Sequence, residues 1–191
     1  KQNKVTREEL SALSNLAYSE GVFSMQENRI IQNIIDLKKI KASEILTPRV
    51  VVFLANESLN LDSFSKEKNF SKYSRIPVYT NDIENVTGYI FLQDVIEKMS
   101  NSNDDFKLKD LKREILTVPN SVNVFSLFNQ FLEKKEHIAL IVDEYGGFDG
   151  IITMEDIIET LLGLEIIDEN DQVVDMQLYA KEKWFKKRDL E

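Results

Sequence analysis

The chain has 191 residues, 42% of them hydrophobic and 30% charged, with a net charge of −9. That length suggests one or two domains with a real core, and the acidic balance argues against nucleic acid as a partner. With no cysteine, a disulfide framework and a thiolate metal site are excluded, which fits a reducing compartment, and no apolar run approaches the roughly 20 residues needed to cross a bilayer. The sequence starts at Lys1 without a methionine and ends in Leu190-Glu191, a pair that expression vectors often supply. It is therefore expected to be a piece of a longer protein, and its own solubility says nothing of whether the parent is membrane-bound.

Thr6-x-x-Glu9 is a capping-box pattern, and Leu10, Leu13, Leu16 and Ala17 follow at helical spacing. Gly21 breaks the chain. Ser24-x-x-Glu27 is a second capping box, with Ile30, Ile31, Ile34 and Ile35 on one face. Two short helices with apolar stripes must bury them, either on the domain behind or against something upstream. Pro48 then blocks further helix. Residues 50–54 predict a strand, and 59–70 a helix with Leu61 and Phe64 on its inner face. Strands are expected at 76–79 and 86–91, and a helix at 94–99. Polar residues 101–105 predict a loop. A strand at 115–118, a helix at 124–132, a strand at 138–142, a turn at Gly146-Gly147, a strand at 148–152 and a helix at 154–162 complete the pattern.

The second half repeats itself. Residues 75–99 (RIPVYTNDIENVTGYIFLQDVIEKM) lie over 137–161 (HIALIVDEYGGFDGIITMEDIIETL) without a gap, at a constant offset of 62. Identical pairs are Ile76/Ile138, Gly88/Gly150, Ile90/Ile152, Asp94/Asp156, Ile96/Ile158 and Glu97/Glu159. A period this long marks a supersecondary unit used twice. Each copy reads strand, helix, strand, strand, helix, and the cleft between two packed copies is a natural ligand site.

Thr153 falls at a strand-to-helix junction in the second copy. A hydroxyl there caps the helix, whose free N–H groups and positive dipole end suit a phosphate. Asp156 follows one turn later on the same face, where a carboxylate can accept two hydrogen bonds from ribose hydroxyls. An isolated Thr-x-x-Asp at a helix start is ordinarily only a cap. The repeat and its strand-helix context favour the ligand reading. The first copy has Phe91 where the second has Thr153, and Phe cannot donate to phosphate, so one competent site is expected.

The motifs ILTPR (45–49), YSRIPVY (73–79), VDEYGGFDGIITMEDIIETLLG (142–163) and EIIDEND (165–171) together resemble a tandem pair of cystathionine-beta-synthase (CBS) domains, or Bateman module. More narrowly they resemble the CorC/cyclin M, haemolysin-like family of magnesium and cobalt transport proteins. The resemblance runs from about Thr6 to Asp171. It implies an α/β fold of tandem CBS domains preceded by a short helical segment. The expected division is an acidic helical bundle over 1–42, a first CBS domain over 43–102, a second over 103–171 and a tail over 172–191. It further implies a transmembrane domain upstream, a homodimer, and a place on the cytoplasmic face of the cell membrane. The small domain that usually follows such a pair would lie beyond this chain.

The family binds adenine nucleotide, ATP or AMP, between the copies. Carried over, Thr47 and Thr153 would hydrogen-bond phosphate and Asp156 would hold the ribose. Tyr73 would pack beside the base, framed by the backbone of Ser74, Arg75, Ile76 and Pro77 and by Ile151. Arg75, with Arg49, would offset phosphate charge. The net charge of −9 and the few cations placed near the phosphates predict in addition that magnesium helps ATP to bind. An ordinary surface cation accounts equally well for either arginine, and a core aromatic for Tyr73.

Other motifs resolve to ordinary structure. His137 has no ligand set around it. Glu155, Asp156 and Glu159 share a helix turn with no nucleophile, base and oxyanion arrangement, so no enzyme is expected. Gly146-Gly147 lacks the Lys-Ser/Thr of a phosphate loop. Lys181 to Arg188, with Trp184 and Phe185, reads as an end helix, solvated or docked to a partner. The expected function is a nucleotide-sensing regulatory module of a magnesium or cobalt transporter. The alternatives are a structural dimerisation module with an empty cleft and, more remotely, an enzyme acting on a nucleotide.

Overall fold

The computed structural model describes residues 5–67, 70–101 and 106–164. Both N-terminal helices form as their capping boxes require. Helix α1 is Arg7–Ser19, capped by Thr6 and Glu9, and α2 is Met25–Asp36, capped by Ser24 and Glu27. They meet through a polar seam. Ser11 Oγ donates to Gln32 Oε1 at 2.5 Å, Ser14 Oγ to Asn28 Oδ1 at 2.5 Å, and Arg7 to the carbonyl of Ile35 at 2.6 Å. Helix α2 then packs on the last helix of the second half, with Asn33 Nδ2 donating to Leu161 O at 3.0 Å. The stripe on α1 is not fully covered: Leu13 is 62% exposed.

Two sheets carry the repeat. One joins β2 (Ala55–Asn56), β3 (Arg75–Tyr79) and β4 (Val86–Phe91). The other orders β1 (Thr47–Pro48), β7 (Phe148–Thr153), β6 (Ile138–Val142) and β5 (Leu116–Pro119). In each, a short parallel pair (β2–β3, β5–β6) is joined to an antiparallel hairpin (β3–β4, β6–β7). Helices α4 (Leu61–Ser65) and α6 (Val124–Lys134) cross over inside the parallel pairs, capped by Asn60 and Asn123. Helices α5 (Leu92–Asn101) and α7 (Met154–Leu162) follow the hairpins.

Each sheet is completed by a segment from elsewhere in the chain. The arm that carries α3 (Ala42–Ile45) and β1 precedes the first copy, yet it packs on the second. Thr47 pairs with Ile151, Pro48 with Gly150, and Ala42 and Leu46 are buried in the same core as Val124, Phe131, Ile152 and Ile157. The arm over 106–113 packs on the first copy. Its Arg113 bridges Tyr89, and Leu108 is buried with Ala55, Phe64, Ile76, Ile90 and Val95. Glycine permits both crossings. A Cβ on Gly150 would stand 2.3 Å from Thr47 O, and one on Gly88 would stand 2.3 Å from Arg113 O. These two identities of the repeat mark where an arm's backbone lies against a hairpin strand.

Three expectations are corrected. Residues 50–54 form no strand; the edge strands are Thr47–Pro48 and Ala55–Asn56, and the stretch between them is a turn and connection from one sheet to the other. The helix expected over 59–70 is the short α4, closed at Lys66, with a single 3-10 turn at Phe70–Lys72; Phe70 still packs edge-on to Phe64 at 5.7 Å. The copies also need a one-residue gap. Gly88 and Gly150 are 62 apart, but the strands before the turn correspond at 63: Val78 pairs with Ala55 as Ile141 pairs with Val118. The hairpin turns explain the step. The first spans 80–85 and takes Asn81 through φ 58°, whereas the second spans 143–147 and turns at Gly146, φ 82°. Both strands before the turns are buried along most of their length, so their apolar runs do not reveal a slip by one residue. The 101–105 loop lies mostly, and the 172–191 tail wholly, outside the described residues.

Glu57 fastens the second arm to the first sheet. Its carboxylate accepts from Lys112 Nζ at 2.7 Å, from Thr87 Oγ1 at 2.6 Å and from the Thr80 hydroxyl. The Lys112 bond first, then Thr80 and Thr87, hold the carboxyl at about 2, below its ordinary 4.5. Hydrogen bonds to a charged group are worth about 1.5–3 kcal/mol. Glu57→Gln is expected to cost about 2 kcal/mol at neutral pH in urea unfolding. A carboxyl with a depressed folded-state value stabilises fully above its unfolded value of about 4.3 and loses that contribution as pH falls from there through about 2. The gap between wild type and Glu57→Gln should therefore close as the medium is acidified through that window.

Candidate functional site

The repeat places two equivalent candidate clefts, one at the start of each hairpin-following helix and each beside an arm. In the second cleft, β7 ends at Thr153, which caps α7. Asp156 Oδ2 accepts from Thr153 N at 2.6 Å and from Thr153 Oγ1 at 2.8 Å, and the Asp156 amide donates back to Thr153 Oγ1 at 3.4 Å. The pair is a complete capping box. Thr47 and Ile151 face each other on the neighbouring strands, so Thr47, Ile151, Thr153 and Asp156 come together at one helix N-terminus. All four are half-buried. Hydroxyl, amide and dipole end converge where an anion is stabilised, and a ligand that takes the Thr153 hydroxyl must draw it from Asp156.

The remaining predicted residues lie at the start of β3. Tyr73 stacks on Phe53, ring centroids 5.9 Å apart and planes 20° apart. Ser74 is exposed, and its carbonyl accepts from Leu92 N. Ile76 and Pro77 are buried, Ile76 wholly within the first core. The Arg75 guanidinium lies over the Phe91 ring at 4.9 Å, which sets it in the first cleft. Arg49 is tied to Glu84 at 2.5 Å and reaches Phe148 O at 3.4 Å.

The corrected alignment makes the clefts comparable position by position. Thr47 corresponds to Arg113, Tyr73 to Glu136, Ile151 to Tyr89, Thr153 to Phe91 and Asp156 to Asp94. In the first cleft these side chains satisfy one another. Arg113 pairs with Asp94 at 2.7 Å and covers Phe91 at 4.3 Å. The Tyr89 hydroxyl donates to Glu136 Oε2 at 3.2 Å; burial first, then the Glu136 charge and hydrogen bond, raise that phenol above its usual value. Phe91 supplies no cap to α5. The expectation of unequal clefts rested on Phe91 alone; the structure adds Arg113, Tyr89 and Glu136. An alignment with a gap in the turn would have revealed Glu136, but Arg113 belongs to an arm whose partner sheet is visible only in the fold. Among the described residues, no cluster of three or more potential metal ligands occurs, and no helix is long and apolar enough to cross a membrane.

This duplicated, arm-exchanged α/β unit is a CBS-domain module. The CBS domain description matches residues 108–163. The CBS domain of a bacterial CNNM/CorC family Mg2+ transporter superposes with a TM-score of 0.80 at 28% identity, covering 86% of this chain and all of that one. A structure of such a domain in complex with ATP superposes with a TM-score of 0.68, also at 28% identity, over 73% of this chain and 99% of that one. Haemolysin C of Brachyspira hyodysenteriae is 40% identical over 76% of this chain and 53% of its own length. The magnesium and cobalt efflux protein CorC of Pasteurella multocida is 28% identical over 87% of this chain and 55% of its own. The chain belongs to the haemolysin C/CorC family, and it spans about half the length of the curated relatives it matches.

The capping box makes a prediction that needs no ligand. Thr153→Ala should lose about 1 kcal/mol of stability, whereas Thr153→Ser, which keeps the hydroxyl, should lose far less. Chemical denaturation of the three proteins measures both differences.

Proposed function

We propose that this chain is the adenine-nucleotide-binding regulatory module of a magnesium or cobalt transporter, that it has no catalytic activity, and that it takes ATP or AMP at one site, the second cleft. The observation that carries this reading is the contrast between the clefts. At equivalent positions, one presents two threonine hydroxyls, an amide-rich helix end and a half-buried carboxylate; the other has a phenylalanine in place of the capping threonine and its carboxylate paired with Arg113. The ATP complex of a related CBS domain supports the choice of ligand. Phosphate sits at Thr153 and Thr47, ribose on Asp156, and Tyr73, the counterpart of Glu136, lies beside the base. Ser74, Arg75, Ile76 and Pro77 contribute backbone and Ile151 an apolar wall.

The module acts as a twofold dimer on the cytoplasmic face of the membrane, below a transmembrane domain in the parent protein. Ile96 on α5 and Ile158 on α7 occupy equivalent positions and are 49% and 36% exposed. That pair of matching apolar faces favours a closed twofold association. A structural dimerisation module would keep the same dimer and leave the cleft empty.

Calorimetric titration separates the readings. One nucleotide per chain is expected. Asp156→Ala should weaken binding about tenfold to a hundredfold, the loss of charge-assisted bonds of about 1.5–3 kcal/mol. Asp94→Ala, which removes only the partner of Arg113, should change affinity little. Equal losses, or two sites per chain, would place the ligand elsewhere. No binding at millimolar nucleotide would favour the structural module.

ATP should depend on magnesium more than AMP does. The chain is acidic, and the described arginines nearest the clefts are engaged: Arg49 with Glu84, Arg113 with Asp94, Arg75 over Phe91. A divalent ion on the triphosphate relieves repulsion at short range, where salt screens least. ATP affinity in chelator and in excess magnesium, beside the same pair for AMP, measures the difference; equal ATP affinity in chelator would remove the basis for magnesium-linked sensing.

A further inference from the structure

The hairpin of α1 and α2 leaves an apolar groove of about 420 Å³ that neither core absorbs, walled by Leu10, Leu13, Ala17, Phe23, Ile31 and Ile34 among others. Leu10, Leu13 and Ile34 remain 47%, 62% and 54% exposed. The seam between the helices carries side-chain hydrogen bonds from Ser11, Ser14 and Gln32 to the facing helix, so the hairpin has polar contacts of its own beside the open apolar groove. A concave apolar surface of this kind on a protein surface marks an interaction site.

We propose that residues 165–191 of this same chain cover that groove. Four observations select this occupant. The chain leaves α7 on the surface of α2: Gln26 Nε2 donates to Leu162 O at 3.2 Å and Asn33 Nδ2 to Leu161 O at 3.0 Å. The 27 residues that follow Leu164 are ample, since α2 with its 12 residues is only about 18 Å long. The segment also has the right chemistry. Val174, Leu178 and Phe185 fall on one face at helical spacing, with Trp184 beside them. Finally, the charges at the far end of the segment are complementary. Within residues 181–188, Lys181, Lys183, Lys186, Lys187 and Arg188 stand against Glu182, while the hairpin carries Glu8, Glu9, Glu20 and Glu27 beside Arg7 and Arg29. The segment thus ties the end of the second copy to the helices that precede the first arm, independently of any nucleotide.

Trp184 is the only tryptophan of the chain, so the intact protein reports its own docking. Its emission should be blue-shifted, and acrylamide quenching several-fold weaker than for a free tryptophan peptide. Leu13→Glu, at an exposed position, should restore free-peptide quenching without lowering the melting temperature of the domain. Lys186→Glu with Lys187→Glu, outside both cores, should do the same and serves if Leu13→Glu disturbs the hairpin itself. Trp184 quenched like a free peptide in the wild type would overturn the proposal, as would protection unchanged in both variants. Protection that disappears on dilution from micromolar to nanomolar protein would also overturn it, because a second copy would then be the occupant.

Discussion

The exchange of arms is the constraint on which the rest of this structure depends. Neither half completes its own sheet. The second core contains Ala42 and Leu46 from ahead of the first copy, and the first core contains Leu108 from the start of the second. Each arm lies so close to its hairpin that only glycine fits beneath it, at Gly88 and at Gly150. Separating the halves would expose Ala42 and Leu108, both wholly buried, and would leave the last strand of each sheet with an open edge. The copies are therefore expected to behave as one cooperative body. Glu57 of the first copy reinforces the second arm by its bond to Lys112 at 2.7 Å.

Duplication followed by divergence gives the two clefts the same backbone and different chemistry. At one helix N-terminus the capping residue is a threonine whose hydroxyl meets a carboxylate three residues on. At the other it is a phenylalanine flanked by Arg75 and Arg113, with Asp94 already neutralised by Arg113. The same carboxylate position thus completes a helix cap in one setting and is half of an ion pair in the other. Side chains contributed by an exchanged arm, Thr47 or Arg113, make that distinction. The chemical difference between the two helix starts lies at five positions, not in any change of architecture.

Much of this was legible in the sequence for local reasons. The capping boxes at Thr6, Ser24 and Thr153 announced three helices, because the caps are contacts between residues three apart. The glycine and aspartate identities announced the duplication. Thr153 and Asp156 were readable as a pair because one turn of helix joins them. What the residues could not announce was everything set at a distance. The strand expected at 50–54 was replaced by edge strands on either side, because Thr47 and Ala55 find partners in different sheets. The helix from 59 stopped at Ser65. The register of Ile76 against Ile138 slipped by one, because buried strands are apolar on both faces and carry no phase.

By itself, then, the sequence determined the capped helices, the repeat and the capping chemistry of the second helix terminus, all of which follow from short-range caps and periodicity. Only the tertiary structure decided which arm completes which sheet, that Arg113 pairs with Asp94, and that Arg75 lies over Phe91. Those outcomes depend on pairings between residues far apart in the chain, and hydrophobic pattern ranks alternative partners for an apolar strand almost equally.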